Sequence, residues 1–161
     1  MLFRSDGDLL VFLPGAGEIR RVASSLKDRG LPSDVQVRPL FGNLPTKKQD
    51  AAIEPSPDGR RKVVLSTDIA ETSLTIEGIR VVIDSGRVRT PRFDPQSGMT
   101  RLETVKVSKA SADQRAGRAG RLSPGTCYRL WTQHAHQHLK AHTPPEIVNA
   151  DLAPVALELA M

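Results

Sequence analysis

The sequence predicts an α/β domain, doubly wound around a mostly parallel sheet, and three observations predict it. Short apolar runs rich in Val, Ile and Leu recur along the chain, stretches of helical spacing separate them, and clusters of Pro, Gly and Asp mark the joints. Runs that are apolar at every position, rather than at every second one, belong to strands buried on both faces, as in a parallel sheet between helices.

Each element follows in order. Residues 9–13, Leu-Leu-Val-Phe-Leu, form the first such run, ended by Pro14-Gly15. Ile19, Val22, Ala23 and Leu26 then recur at i, i+3, i+4 and i+7, so a helix follows until Gly30. Residues 35–40 predict a second strand. Pro45 stands where the first turn of a helix tolerates it, Ala51, Ala52 and Ile53 continue that helix, and Pro55-Ser56-Pro57-Asp58-Gly59 breaks it. Residues 62–66 and 79–84 predict the third and fourth strands, and residues 126–131 a further one. Residues 87–93 and 99–107, joined by Asp94-Pro95-Gln96-Ser97-Gly98, predict a projecting β-hairpin. It carries Arg87, Arg89, Arg92, Arg101 and Lys106, which suit contact with a polyanion or simple exposure as a solvated insertion. Asp151, followed by Leu152, Val155, Ala156, Leu157, Leu159 and Ala160, opens a largely apolar helix that ends abruptly at Met161, as in a chain cut from a longer one.

Composition narrows the function. At 161 residues and 39% hydrophobic content the chain fits one domain of ordinary size. The single cysteine, Cys127, forms no internal disulfide, which excludes a secreted disulfide scaffold and fits a reducing compartment. No apolar run approaches the roughly 20 residues a membrane helix needs, and Asp6 and Asp8 spoil a signal peptide. The expectation is a cytoplasmic protein with no membrane partner. Lys and Arg number 23 against 18 Asp and Glu, a formal charge of +5 that favours a polyanionic partner. Aromatic residues make up only 4%, so nucleic acid would be held by its phosphates more than by base stacking, with weak sequence preference.

The strongest chemical signal is Gln114-Arg115-Ala116-Gly117-Arg118-Ala119-Gly120-Arg121. Read as a helix, it places Gln114, Arg118 and Arg121 on one face, with Gly117 and Gly120 leaving a bare strip for another surface. Two glycines inside a helix cost about 1 kcal/mol each, and the three arginines repel one another, so an anion from outside would explain the pattern. The other reading is a solvated basic helix with a capping box from Ser111 to Gln114, which accounts for neither the glycines nor the arginines. A second signal, residues 66–75, carries Ser66, Thr67, Thr72, Ser73 and Thr75 beyond the third strand, where open α/β sheets place ligands and hydroxyls suit phosphate oxygens. A hydroxyl-rich turn bonded to its own backbone is the alternative there. His134, His136, His138 and His142 contain two i,i+4 pairs, but no nearby cysteine or carboxylate completes a familiar metal site, and none is expected. A hydrolase triad lacks its Gly-x-Ser-x-Gly anchor.

These segments also carry a resemblance. Residues 63–76, Val-Val-Leu-Ser-Thr-Asp-Ile-Ala-Glu-Thr-Ser-Leu-Thr-Ile, resemble motif V, and residues 114–121 resemble motif VI, of the DEAH/RHA helicases of superfamily 2. Residues 10–15 are similar to motif IV of the second RecA-like domain of that family. Leu40-Phe41-Gly42-Asn43-Leu44-Pro45 is similar to its RNA-contacting hook loop, and the family has a hairpin between motifs V and VI. The text around Phe12-Leu13-Pro14-Gly15, Ile76-Glu77-Gly78 and Arg92-Phe93-Asp94-Pro95 looks closest to the bacterial HrpB-type subgroup.

The resemblance implies the second RecA-like half of an ATP-dependent RNA helicase. ATP would lie in a cleft shared with a first RecA-like domain, Arg118 and Arg121 would be arginine fingers, and Gln114 would help place the attacking water. Ser73 matches a residue that senses nucleotide state, and Glu77 and Ile53 fall on the nucleotide side. Relatives often stack an aromatic on adenine from the helix containing Ile53, and an isoleucine packs without stacking, which implies looser base selectivity. Thr67 and Thr75 would hold the backbone of single-stranded RNA, DNA being the other candidate, with Gly42 and Asn43 of the hook loop and Arg87 and Arg89 of the hairpin. Asp68 stands where many relatives carry asparagine, and a carboxylate cannot donate a hydrogen bond to phosphate. The implied organisation is a second RecA-like domain over residues 1–145, with its hairpin near 87–107, and the start of a winged-helix domain over 146–161. No glycine is followed by lysine and no Asp-Glu pair occurs, so a phosphate loop and a DEAH-type box for Mg2+ would belong to the first domain, and this chain alone would be inactive. A stand-alone basic nucleic-acid-binding module is the alternative function.

Overall fold

The structure, a computed structural model, describes residues 7–56, 58–72, 74–120, 124–150 and 152–159. Strands β1 (Asp8–Phe12), β2 (Val35–Leu40), β3 (Arg61–Ser66), β4 (Ile79–Asp84) and β7 (Thr126–Arg129) form one sheet in the order β2-β3-β1-β4-β7. Every neighbouring pair in it is parallel. β5 (Arg87–Asp94) and β6 (Met99–Lys106) pair antiparallel as a separate hairpin, in register from Arg87 opposite Lys106 to Asp94 opposite Met99. The doubly wound sheet and the projecting hairpin are as the sequence predicts, although β7 stops at Arg129, two residues early.

The continuous apolar runs are explained by two cores, one on each face of the sheet. Leu10, Phe12, Val64 and Val82 point to one, with Leu40, Ala52, Ala70 and Ile76. Leu9, Val63, Leu65 and Val81 point to the other, where Ile19, Val22, Ala23 and Leu26 of helix α1 (Ala16–Asp28) cover them. Alternate residues in the middle of β1, β3 and β4 thus serve opposite cores, so the centres of these strands are apolar at successive positions.

Helix α2 (Thr46–Ile53) begins behind the loop after β2 and returns along the first face. Its last carbonyls meet an unexpected partner. The fully buried Lys62, in the first residues of β3, donates from Nζ to the carbonyls of Ala52 at 3.1 Å, Ile53 at 3.5 Å and Glu54 at 2.5 Å. A cation at a helix C-terminus satisfies orphan acceptors and suits the dipole. Asp8 lies 3.8 Å from the same ammonium and also accepts from the Lys62 amide at 2.7 Å. Burial nevertheless raises the Asp8 carboxyl above its usual range and lowers the Lys62 ammonium, because desolvation outweighs their attraction.

Helix α3 (Lys109–Ala116) follows the hairpin, and a short α4 (Gln133–Gln137) follows β7. Val107, Ala112 and Leu139 form a third small core beneath the hairpin base, with Val88 and Trp131 against it. A 3-10 turn (Glu146–Asn149) and helix α5 (Ala153–Leu159) end the described chain, and Val155, Leu157 and Leu159 are exposed. Asp151, the expected cap of that helix, lies outside the described residues.

Candidate functional site

Parallel strands bring their carboxyl ends to one rim. The loops after β1, β2, β3 and β4 meet there through backbone bonds: Leu13 N donates to Ser66 O at 2.8 Å, Thr67 N to Leu40 O at 3.3 Å, and Ser85 N to Phe12 O at 3.2 Å. The loop after β2 exposes Gly42 and Asn43. Gln49 of α2 braces it from behind, its Nε2 donating to the carbonyls of Leu44 at 2.7 Å and Gly42 at 3.3 Å. Beside it Thr67 is half-buried and Asp68 exposed, at the start of a 3-10 turn (Asp68–Ala70). Arg87 opens the hairpin at the same rim. Arg89 leans over Gly15 and pairs with Glu18 of α1 at 3.3 Å, and a Cβ at Gly15 would stand 2.8 Å from its Nη1.

From that rim the chain runs back across the first face of the sheet toward the amino ends of the strands, and helix α3 lies alongside it. The helix departs from the sequence reading in two ways. Its N-cap is Ser108, whose hydroxyl accepts from the Ser111 amide at 3.1 Å, so Ser111 does not open a capping box to Gln114. It also ends at Ala116. Gly117 is the C-cap and Gly120 adopts φ +86°, so neither glycine lies in the helix interior and the expected helical penalty does not arise. Gln114 is exposed on α3, while Arg118 falls beyond the last helical residue, in a turn.

Arg115 corrects a further expectation. It does not await an outside anion, because its anions are built in. The guanidinium is 1% exposed, with Nε 2.9 Å from Glu71 Oε2 and Nη1 3.0 Å from Asp84 Oδ1 and 3.2 Å from the Arg87 carbonyl. It stacks on Phe12, 4.9 Å from the ring centroid. Asp84 is wholly buried and also accepts from the Gly86 amide at 2.8 Å, while Glu71 Oε2 takes a second bond from Ser111 Oγ at 2.8 Å. Sequence reasoning missed this cluster. Its one visible signal was Asp84, an acid closing the apolar run from Val81 to Ile83.

Arg118 is also buried, at 7% exposure. Its Nε donates to Glu71 O at 2.8 Å, its Nη2 to the same carbonyl, and its Nη1 to Leu74 O at 2.7 Å. One turn on, the Gly120 amide reaches Ile79 O at 3.4 Å, at the start of β4.

The predicted residues therefore separate into two groups. Gly42, Asn43, Thr67, Asp68 and Arg87 share the carboxyl rim. Exposed Thr75 and Glu77 lie further along the 67–78 segment, near the turn that carries Arg118, and Ile53 sits half-buried at the far end of α2, by Lys62. Ser73 and Arg121 lie outside the described residues. His134 and His138 place their rings 4.5 Å apart, and among the described residues no group of three metal-ligating side chains is gathered.

Residues 2–123 match the model of the helicase conserved C-terminal domain. The chain is 52% identical over 159 residues to the ATP-dependent RNA helicase HrpB of Escherichia coli, covering 99% of this chain and 20% of that protein. It is 43% identical over 154 residues to the ATP-dependent RNA helicase HrpA of Borreliella burgdorferi, covering 96% and 19%. A crystal structure of the Escherichia coli DEAH/RHA helicase HrpB superposes with a TM-score of 0.92 at 52% identity, over 99% of this chain and 20% of that one. The chain thus spans about a fifth of the length of the curated relatives it matches.

Proposed function

This chain belongs to the helicase C-terminal domain family, with a RecA-like fold of the DEAH/RHA type, and from that premise we propose that it is the second RecA-like half of an ATP-dependent RNA helicase. The observation that carries the reading is the course of residues 67–78. One end stands beside the loop after β2 at the carboxyl rim, and its middle, at Glu71 and Leu74, is bonded to Arg118, which supports a reading in which one segment serves both a nucleic-acid face and a nucleotide face.

At the rim, Gly42, Asn43, Thr67 and Arg87 contact the phosphates of single-stranded RNA, with Arg89 beside them, and Thr75 meets the strand further along the same segment. Exposed amides and hydroxyls there match a sequence-tolerant grip, and the affinity falls with salt at roughly 0.7 log unit per log unit for each phosphate neutralised. On the other face Arg118 and Arg121 act as fingers. A guanidinium stabilises charge spreading over the γ-phosphoryl oxygens, and Gln114 orients the attacking water. Arg118 must first leave the Glu71 and Leu74 carbonyls, so its inward position is the resting one. Ser73, Glu77 and Ile53 line the nucleotide side. The chain carries no adjacent Asp-Glu pair, and Glu71 and Asp84 are taken by Arg115; both observations support Mg2+, which neutralises phosphate charge when bound, being held mainly by the first RecA-like domain.

The test uses the full-length protein that carries this chain. Arg118→Ala or Arg121→Ala should lower kcat for ATP by about three orders of magnitude, with nucleotide-free RNA affinity little changed and Arg→Lys rescuing poorly. Loss of RNA affinity with ATPase intact would overturn the assignment and favour a nucleic-acid-binding module instead.

A further inference from the structure

Arg115 is too deep to touch a ligand, yet its side chain gathers several of the segments named above. Four of them converge on its guanidinium. Glu71 belongs to the segment after β3, Asp84 ends β4, Arg87 begins the hairpin and Phe12 ends β1, while Arg115 itself lies in the last turn of α3, three residues before Arg118. Glu71 holds both arginines at once, its carboxylate on Arg115 and its carbonyl on Arg118. A shift of the 67–71 backbone therefore disturbs the bonds that hold the Arg118 guanidinium.

The charge balance indicates why the link is selective. One guanidinium faces two carboxylates, Asp84 at 0% and Glu71 at 14% side-chain exposure. Asp84 already accepts from the Gly86 amide, and its geometry is fixed by β4. Glu71 stands on a loop, so of the two carboxylates it is the one able to move. Arg115 is thus anchored on the sheet side through Asp84 and connected on the loop side through Glu71.

We propose that Arg115 and Glu71 are positioning residues that couple occupancy of the RNA rim to release of Arg118 toward the nucleotide. RNA pulling on Thr67 and Asp68 displaces the Glu71 carbonyl, frees the Arg118 guanidinium, and leaves Arg115 on Asp84 to keep α3 in place. This inference rests on the helicase reading given above and adds to it the path by which RNA stimulates hydrolysis.

Glu71→Ala tests it, since Glu71 is on a loop and its main-chain carbonyl survives the change. In the full-length protein, the ratio of RNA-stimulated to RNA-free kcat should fall at least about fivefold. RNA-free kcat, nucleotide-free RNA affinity and a melting temperature within about 5 °C of the parent should be retained. Glu71→Gln, whose amide oxygen still accepts from Arg115 and Ser111, should restore part of the ratio. Arg115→Lys, which keeps the charge and loses the fork, should lower the ratio as Glu71→Ala does. A stimulation ratio unchanged in Glu71→Ala would overturn the coupling alone. A parallel fall in RNA-free kcat, RNA affinity and melting temperature would overturn it in favour of a purely structural role. Absence of RNA-stimulated ATPase in the parent protein would overturn the helicase reading itself.

Discussion

Replacing Arg115 by methionine should be among the most destabilising single changes in this domain. Methionine roughly preserves volume and can still lie against the Phe12 ring, so the change reports on charge more than on a cavity. What it removes is the counter-ion of Asp84, which is fully buried, and of Glu71, which is nearly so. Deleting one partner of a buried pair costs about 3–5 kcal/mol, because the charge left behind has lost water and its counter-ion, and Asp84 keeps only the Gly86 amide and Glu71 the Ser111 hydroxyl. For a domain of this size that corresponds to a fall in melting temperature of roughly 6–20 °C. Equilibrium urea denaturation of the chain measures the loss directly, with an unchanged m-value guarding the two-state analysis. A second substitution sharpens the result. Asp84→Asn in the Arg115→Met background removes the stranded charge and should recover at least about 1 kcal/mol, although Asp84→Asn alone is destabilising. A cost below about 1 kcal/mol for Arg115→Met, or no recovery in the double variant, would refute the view that built-in carboxylates hold this arginine.

Two further outcomes follow from single residues. Gly86 adopts φ +70°, and a Cβ there would stand 2.6 Å from Trp131 Cε3, so Gly86→Ala should cost more than the roughly 1–2 kcal/mol of the backbone alone and should shift the Trp131 emission; an unchanged spectrum and stability would contradict this. Burial, and then the nearby Asp84, raise the Cys127 thiol, so thiolate forms at higher pH in the folded than in the urea-unfolded chain; the pH profile of iodoacetamide alkylation should have the higher midpoint in the native state, and a lower one would exclude it.

The sheet was legible because the central stretches of β1, β3 and β4 serve two cores and are apolar at successive positions. The hairpin was legible from its turn; residues 67–75 and 114–121 stood out as candidates by their chemistry, and residues 42–43 only through the family resemblance. What stayed hidden depends on distance along the chain. Arg115 looks repelled by Arg118 when neighbours are compared, while its partners Glu71 and Asp84 are 44 and 31 residues away. Ser111 and Ser108 are equal candidates for a cap until Glu71 claims one hydroxyl. Helical arithmetic carried α3 through Arg121, whereas Gly117 and Gly120 end it, a use of glycine that the capping rules allow and an interior penalty obscures. Lys62 opens an apolar run and gives no sign of meeting the end of α2, because that contact exists only once the helix has folded back.

The loop that carries Gly42 and Asn43 rests on α2, about 12 Å long, which runs back along the sheet from the carboxyl rim toward Lys62. Gln49 clamps the loop to the near end of this rod, and the ammonium of Lys62 clasps the far end to β3 and, through Asp8, to β1. A strand hauled across Gly42 and Asn43 would load the rod along its axis, the direction in which its hydrogen bonds are stacked. The domain would then receive that thrust at its two central strands, its stiffest part, rather than at the loop where the load is applied.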